Sequence, residues 1–477
     1  MKVKLNDFGP IEKAELELGE LTIIAGRNNT GKTYVTHALY GFLRHFRRLP
    51  SSEFGSKFFE SHFNRMIYKP MKEVLSAIDR EGGFSWKVDQ DFLLREQKRL
   101  ISELAQDYTT NRLHQVFNVR SDHFEGASFE VALEAQVPTQ TSFLQPLGAG
   151  EYMLLGYDGG TCTVAVNSDL SVKRPQISSI LMKGALRSLY FRMLLGDVLY
   201  HERHFSILTS VRHAIPLFMP EMDVTRNQMD PPSFSLEDDL GVGTEPESFM
   251  LHHTNRYTLP ISDNINFFRR IPDNSLSHTN PPFNEFSDSI EKALGGYFIT
   301  EEGKIRFVSS EDSKSNLDIP FHLASSSAWE MSNLYFFLCY SMDMEGGYFV
   351  IIDEPESHLD TANQIVMARL LAQLVNSGNR ILITTHSDYL IKEVNNLLML
   401  SNEFANKRET LARLGYQEFE VLSPSQVRAY TAENGILTRN KVDEFGIKMP
   451  VFDQTIDGIN RTARELFTRI KREKGED

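Results

Sequence analysis

Gly26-Arg27-Asn28-Asn29-Thr30-Gly31-Lys32-Thr33 decides how this chain is read. The octapeptide fits the pattern G-x-x-x-x-G-K-[ST]. It follows Leu21-Thr22-Ile23-Ile24, an apolar run rich in β-branched residues that predicts a buried strand. After it, Val35, Ala38, Leu39, Phe42, Leu43 and Phe46 recur at helical spacing. Strand, glycine-containing loop and helix is the context in which this pattern binds phosphate. Gly26 and Gly31 let the backbone bend round an anion with its N–H groups inward, and the helix N-terminus points its positive end at the same place. Lys32 adds a mobile charge for terminal phosphates, and Thr33 a hydroxyl for Mg²⁺.

A second stretch completes the first. Tyr348-Phe349-Val350-Ile351-Ile352-Asp353-Glu354 is an apolar run that ends in two acids, the pattern of a central parallel strand covered on both faces. Adjacent residues of a strand point to opposite sides, so the two carboxylates are suited to different tasks. Asp353 is expected to hold Mg²⁺, directly or through water, and Glu354 to orient or deprotonate an attacking water. Arg380-Ile381-Leu382-Ile383-Thr384-Thr385-His386-Ser387 predicts another buried strand, ending in a histidine. Ligands gather at the C-terminal ends of strands in open α/β sheets, which suits His386 to hydrogen-bond a γ-phosphate or a water.

In this combination the chain resembles the ATP-binding-cassette, AAA-family ATPases of the non-transporter branch. That branch takes in the structural-maintenance-of-chromosomes, RecF and overcoming-lysogenization-defect ATPases and related ATPases of bacterial anti-phage systems. Gly26 to Thr33 match Walker A, and Ile351-Ile352-Asp353-Glu354-Pro355-Glu356 match Walker B. Ser357-His358-Leu359-Asp360 match the D-loop, and Thr384-Thr385-His386-Ser387 the switch histidine. The likeness covers about residues 1–45 and 320–400. It implies ATP and Mg²⁺ as cofactors, with Gly26, Arg27, Asn28, Asn29, Thr30, Gly31, Lys32 and Thr33 around the nucleotide, Thr33 and Asp353 at the metal, and Glu354 and His386 catalytic.

Two departures stand out. Where the family places its glycine-rich signature, this chain has Leu323-Ala324-Ser325-Ser326-Ser327-Ala328-Trp329-Glu330. Serines opening a helix offer N–H and hydroxyl donors to a phosphate, and they also serve as ordinary N-caps. The family's Q-loop glutamine has no counterpart that can be placed in the helical region after Walker A. The resemblance further implies a dimer, or a higher oligomer built from such dimers, in which Ser325, Ser326, Ser327 and Asp360 of one chain complete the nucleotide site of the other.

The expected fold is α/β. It is an ABC-type P-loop ATPase with a mainly parallel central sheet, an N-terminal antiparallel β subdomain, a large mixed helical and β insertion and a small C-terminal α/β extension. The segments are 1–45 for the first part of the ATPase core and 46–200 for the helical and β insertion. A mixed segment at 201–310 contains irregular loops at 220–290. Residues 311–400 form the second part of the core and 401–477 the C-terminal extension. In that extension Ile456, Ile459, Ala463, Phe467 and Ile470 predict the inward face of an amphipathic helix. Arg212, just past the apolar run Phe205-Ser206-Ile207-Leu208, suits either a phosphate or loop contact or a structural ion pair.

The 477 residues carry a net charge of −14, with 41% hydrophobic and 24% charged residues, which is the composition of a soluble globular chain. A surface that is basic all over is excluded. A local basic groove is not, since charge distribution matters as well as the total. The cluster Arg44, His45, Arg47 and Arg48 is one candidate for such a groove, but a solvated helix end favoured by the dipole is the preferred reading. Two cysteines make no disulfide framework, and neither has metal-ligand spacing. The most apolar helical stretch, residues 177–200, is interrupted by Lys183, Arg187, Arg192 and Asp197, so no membrane partner is expected. A cytoplasmic location is expected.

Residues 401–477 show no D-x-D pair, so no intrinsic nuclease centre is expected. The functional expectation is an ATP-hydrolysing sensor or switch that controls a separate effector protein, nuclease-like or toxin-like. It resembles the ATPase subunits of anti-phage systems such as Septu and PARIS. The alternatives are a RecF-like DNA-binding repair ATPase, with nucleic acid as partner, and the ATPase subunit of a transporter.

Overall fold

A computed structural model of the chain describes residues 1–67, 83–133, 138–148, 151–167, 179–195, 205–212, 257–271, 284–301, 304–309, 317–340 and 347–474, with a few isolated positions between. The chain divides into two compact units. One contains residues 6–40, 114–125 and 206–477, and the other residues 1–5, 41–113 and 126–205.

The first unit is organised on the phosphate-loop strand, Leu21–Gly26, all six of whose residues are buried. The switch strand, Arg380–Thr385, runs parallel to it on one side with Ile383 opposite Ile23. The acid-ended strand, Phe349–Asp353, lies parallel beyond that with Asp353 opposite Thr384. On the other side Val427–Glu433 runs parallel to the phosphate-loop strand with Ala432 opposite Gly26. Within this unit the sheet order is therefore Ile11–Glu17, Ile436–Asn440, Val427–Glu433, Leu21–Gly26, Arg380–Thr385, Phe349–Asp353, Phe205–Leu208. This is a mixed α/β fold with a mainly parallel centre. Helices Thr361–Asn376 and Asp388–Met399 cover it, packing Leu370, Leu374, Leu390 and Leu397 with Ile23, Ile352 and Ile383 in one apolar core. Asp360 starts the first of these helices by accepting the N–H groups of Ala362 and Asn363 at 2.9 and 3.0 Å. Ser387 starts the second through the N–H of Leu390 at 3.1 Å.

The tail differs most from the sequence expectation. In place of a separate small extension, it contributes the strand Val427–Glu433 directly beside the phosphate-loop strand. It returns as a hairpin through Asn434-Gly435, both at positive φ, +49° and +75°. Two consecutive left-handed residues of this kind suit the twist of a tight hairpin. The Gly435 carbonyl then accepts the N–H groups of Glu12 and Lys13 at 2.8 and 3.1 Å, which ties the tail to the N-terminal strand pair. The segment Glu418–Glu420 is a short 3-10 turn. In the helix Pro450–Lys474 the face expected to point inward is exposed at Phe467 (62%) and Ile470 (52%), and Ala463 is exposed too. Amphipathic spacing sets a face, and only a surface to pack against buries it.

Most of the stretch expected to be irregular, 220–256 and 272–283, lies outside the described residues. Between those segments Leu259–Arg270 is a helix with proline in its first turn, where a missing N–H costs nothing. Its Ile265 and Phe268 pack with Phe298, Phe307 and Phe336. After Leu294 the chain forms an antiparallel hairpin, Gly296–Glu301 against Lys304–Ser309.

The second unit holds an antiparallel four-stranded sheet in the order Gly83–Lys87, Thr161–Asn167, Glu151–Asp158, Gln140–Gly148. With it are the helices Glu53–Ile67, Gln90–Asp107 and Ser179–Leu195. Phe59, Phe63 and Tyr190 form its aromatic centre, with ring centroids 4.5 to 6.2 Å apart. The strand Gly83–Lys87 lies between helices of the mixed insertion, and its pairing of Trp86 with Cys162 supplies the reason for it. Five residues carry too little periodicity to declare themselves without a partner strand. Among the described residues no helix is long and apolar enough to cross a membrane.

Gly31 shows what the phosphate loop demands of its sequence. It sits at φ +87°, and a Cβ there would lie 2.5 Å from Ile11 Cδ1. Gly31→Ala is expected to lower unfolding free energy by about 1–3 kcal/mol, measured by denaturant titration.

Candidate nucleotide site

The site forms where the phosphate-loop, switch and acid-ended strands finish side by side. Lys32, buried at the start of helix Lys32–Arg47, donates to the carbonyls of Gly26 at 3.0 Å and Arg27 at 2.9 Å. Burial lowers its pKa below the ordinary lysine value, and the carboxylates of Glu354, Glu356 and Asp353 oppose that shift. Gly26 is irreplaceable for a steric reason, since a Cβ would lie 2.5 Å from the Ala432 carbonyl oxygen on the next strand. Arg27, Asn28 and Asn29 form the exposed tip of the loop, with Asn29 at φ +62°. Thr30 closes that tip by donating to the Arg27 carbonyl at 2.8 Å.

Asp353 is fully buried. Its Oδ1 accepts the hydroxyls of Thr36 at 2.9 Å and Thr384 at 3.1 Å. Its Oδ2 has no hydrogen-bond partner, and His37 Nε2 stands 3.5 Å away. A buried carboxylate oxygen left unbonded is costly, and it is the kind of oxygen that Mg²⁺ takes as a ligand. The residues therefore fit a magnesium site of the P-loop kind, with Asp353 and the Thr33 hydroxyl as protein ligands and the remaining positions left for phosphate and water. Among the described residues no cluster of three or more His, Cys, Asp or Glu forms a separate metal cage.

Glu354 follows at φ +51°, a conformation that costs a non-glycine residue about 1–2 kcal/mol. Its N–H donates to the carbonyl and hydroxyl oxygens of Thr384 at 3.0 and 3.1 Å. Its carboxylate accepts from Ser357 Oγ at 3.3 Å and lies 3.7 Å from His386 Nδ1. The same ring nitrogen is 3.4 Å from Glu356 Oε1. That oxygen of buried Glu356 also accepts the Thr385 hydroxyl at 2.7 Å and the His386 N–H at 2.8 Å. Glu356 thus fixes the histidine backbone, while His386 faces Glu354.

The pair shifts both titrations. The close approach of His386 is the main cause that holds the Glu354 carboxyl below its usual 4.5, and the same approach is the main cause that raises His386 above its usual 6.5. A depressed acid supports folding above its unfolded pKa and loses that support as pH falls through the folded value. A raised histidine supports folding below its unfolded pKa and loses it as pH rises through the folded value. The contact therefore stabilises from below 4.5 to above 6.5, and only weakly, because the His386 side chain is 45% exposed. In His386→Ala the acidic limb of single-turnover hydrolysis is expected to move up toward 4.5. An unmoved limb would separate His386 from Glu354.

The remaining sequence-chosen residues make their contacts at the head of helix Ser326–Tyr340 and in the loop before helix Thr361–Asn376. Ser325 Oγ accepts the Ala328 N–H at 3.2 Å as an N-cap of helix Ser326–Tyr340. Ser327 Oγ donates to the His358 carbonyl at 3.1 Å, so the serine turn and the loop ending in Asp360 touch within one chain. Ser326 is exposed, and Asp360 has both carboxylate oxygens engaged at its own helix start.

Sequence reasoning missed Thr36, His37, Glu356 and Thr384 as members of the site. Thr36 and His37 were findable, because they stand three and four residues after Thr33 on the same helical surface. The role of Glu356 depends on a strand thirty residues further on, and no spacing rule announces it.

These strands, loop and acids have the arrangement of a P-loop nucleotide site on an α/β sheet. A family model described as an AAA ATPase domain matches residues 1–113 and 255–391. That is more than half of the chain, and the chain belongs to this ATPase family. Solved structures similar to it include the SMC head domain from Thermotoga maritima, at 12% identity over 93% of this chain and 98% of that one, with a TM-score of 0.30. Another is a Smc head domain with an extended coiled coil bound to the C-terminal domain of ScpA, derived from Pyrococcus furiosus. It shares 12% identity over 96% of this chain and 98% of that one, with a TM-score of 0.31. No curated protein sequence matches the chain.

Proposed function

We propose that this ATPase is a switch subunit. It binds Mg-ATP at Gly26–Thr33 and Asp353, hydrolyses it with Glu354 as the water-activating carboxylate and His386 at the γ-phosphate, and pairs through its nucleotide sites with a second copy. The observation that carries this reading is the fully buried Asp353, with one oxygen held by two threonines and the other left for a metal beside the phosphate loop. In the paired state the serine turn at Ser325–Ser327 and the loop at Asp360 face the partner's phosphates and exclude water, which strengthens every charge contact there.

The output of the switch is a separate effector protein in anti-phage defence, with hydrolysis setting how long the paired state lasts. The exposed apolar face of helix Pro450–Lys474 is available to such a protein. The test uses tagged Glu354→Gln protein captured from its native host in Mg-ATP, with co-purifying partners identified. One stoichiometric protein with nuclease-like or toxin-like motifs supports the reading. Chromosomal DNA with replication proteins, and no such partner, replaces it with a DNA-repair role. Light scattering of the same variant with and without Mg-ATP reads the pairing directly.

A further inference from the structure

Arg212 is among the largest fully buried side chains of the chain, and its bonds converge on one place. Nη1 donates to the carbonyls of Thr209 at 3.0 Å and Asp353 at 2.5 Å, and Nη2 donates to the carbonyl of Glu354 at 2.9 Å. Nη2 also pairs with Glu330, four residues into the helix that the serine turn opens. The turn carrying Arg212 is itself anchored, since the backbone N–H and hydroxyl of Thr209 donate to Asn264 Oδ1 at 2.9 and 2.8 Å.

We propose that Arg212 is a positioning residue for hydrolysis. Its planar guanidinium holds the backbone of Asp353 and Glu354 in the left-handed turn that aims the Glu354 carboxylate at water, and Glu330 braces it from the serine-headed helix. Three features carry this. Glu354 sits at φ +51° without the freedom of glycine, so something outside the residue must maintain the turn. A rigid fork with several donors can meet two successive carbonyls and a carboxylate at once, which an ammonium group cannot. Lastly, an apolar pair of the same size in a protein interior is often as stable as a buried ion pair or more so, so stability alone does not account for Arg212 and Glu330. Burial raises Glu330 to about 7 although Arg212 opposes the shift, which again marks a pair held at an energetic cost.

The inference rests on Glu354 being the water-activating carboxylate. The experiment therefore compares wild type, Glu354→Gln, Arg212→Met and the double variant Arg212→Met/Glu330→Met for ATPase kcat and KM, ATP affinity and melting temperature. Arg212→Met is expected to lower kcat by about 10- to 100-fold, the range that follows from misplacing a reacting group by an ångström. Its KM should stay near wild type and its melting temperature should fall. The double variant removes the unpaired buried acid, so its melting temperature is expected to recover while kcat stays low. Recovery of kcat together with melting temperature would make Arg212 a structural residue only and overturn the proposal. That comparison holds even if the single variant does not fold. Wild-type turnover in Glu354→Gln would instead remove the reading on which the proposal stands.

Discussion

Glu354→Gln is expected to bind ATP as wild type does and to hydrolyse it about 10²- to 10⁴-fold more slowly, the range for loss of a positioned general base. The substitution keeps the shape of the side chain and its reach to Ser357 and His386, and it removes only the negative charge that accepts a proton. The backbone of the turn is untouched, because Thr384 and Arg212 hold the main chain of residue 354 rather than its carboxylate. Binding should survive, since Lys32 keeps Glu356 and Asp353 as neighbouring carboxylates and the loop amides are untouched. Turnover in steady state and affinity by equilibrium titration check the two halves separately. Undiminished turnover would mean that another group activates water. Glu356 is a poor substitute, being buried with one oxygen committed to Thr385 and the backbone of His386.

Lys32→Ala is expected to weaken ATP binding by about 10- to 100-fold, the size of a lost hydrogen bond to a charged group. Lys32 has lost solvation by burial, which lowers its pKa, and three neighbouring carboxylates help to keep it charged. A phosphate chain would take over the ammonium from the carbonyls of Gly26 and Arg27, which are neutral and weaker acceptors. Alanine removes that exchange and leaves two carbonyls in the loop without their donor. The folded chain should persist, because the core beneath the loop is built from Leu21, Ile23 and Ala25 and does not include the lysine. Equilibrium titration with a fluorescent ATP analogue, paired with a melting curve, distinguishes lost affinity from lost fold. Wild-type affinity would remove Lys32 from the site.

The two measurements report on different parts of one machine. The phosphate loop is local, with both carbonyls that accept from Lys32 within six residues of it. The side that carries the two acids is assembled from far apart. Asp353 and Glu354 are held by Thr36, Arg212 and Thr384, from three separate segments of the chain.

This difference marks what was legible in the sequence. Gly26 to Thr33 could be read directly as a loop between strand and helix, because so tight a bend needs glycines at fixed places, and Gly31 stands at φ +87°. The strands ending at Asp353 and Thr385 were equally legible, since a strand buried on both faces must be apolar throughout, and both are buried along nearly their whole length. Tertiary structure decided the rest. Val427–Glu433 is recognisable as a strand in sequence, yet its place beside the phosphate-loop strand follows from backbone pairing across four hundred residues. The exposure of Phe467 and Ile470 likewise depends on what the rest of the chain puts near that helix. Arg212 suited a phosphate or loop contact as well as an ion pair until Glu330 and the carbonyls of Asp353 and Glu354 were seen around it. Spacing along a chain reports the constraints a residue shares with its near neighbours. Hydrogen bonds between distant segments leave no such spacing, and they are what holds the acids of this site in place.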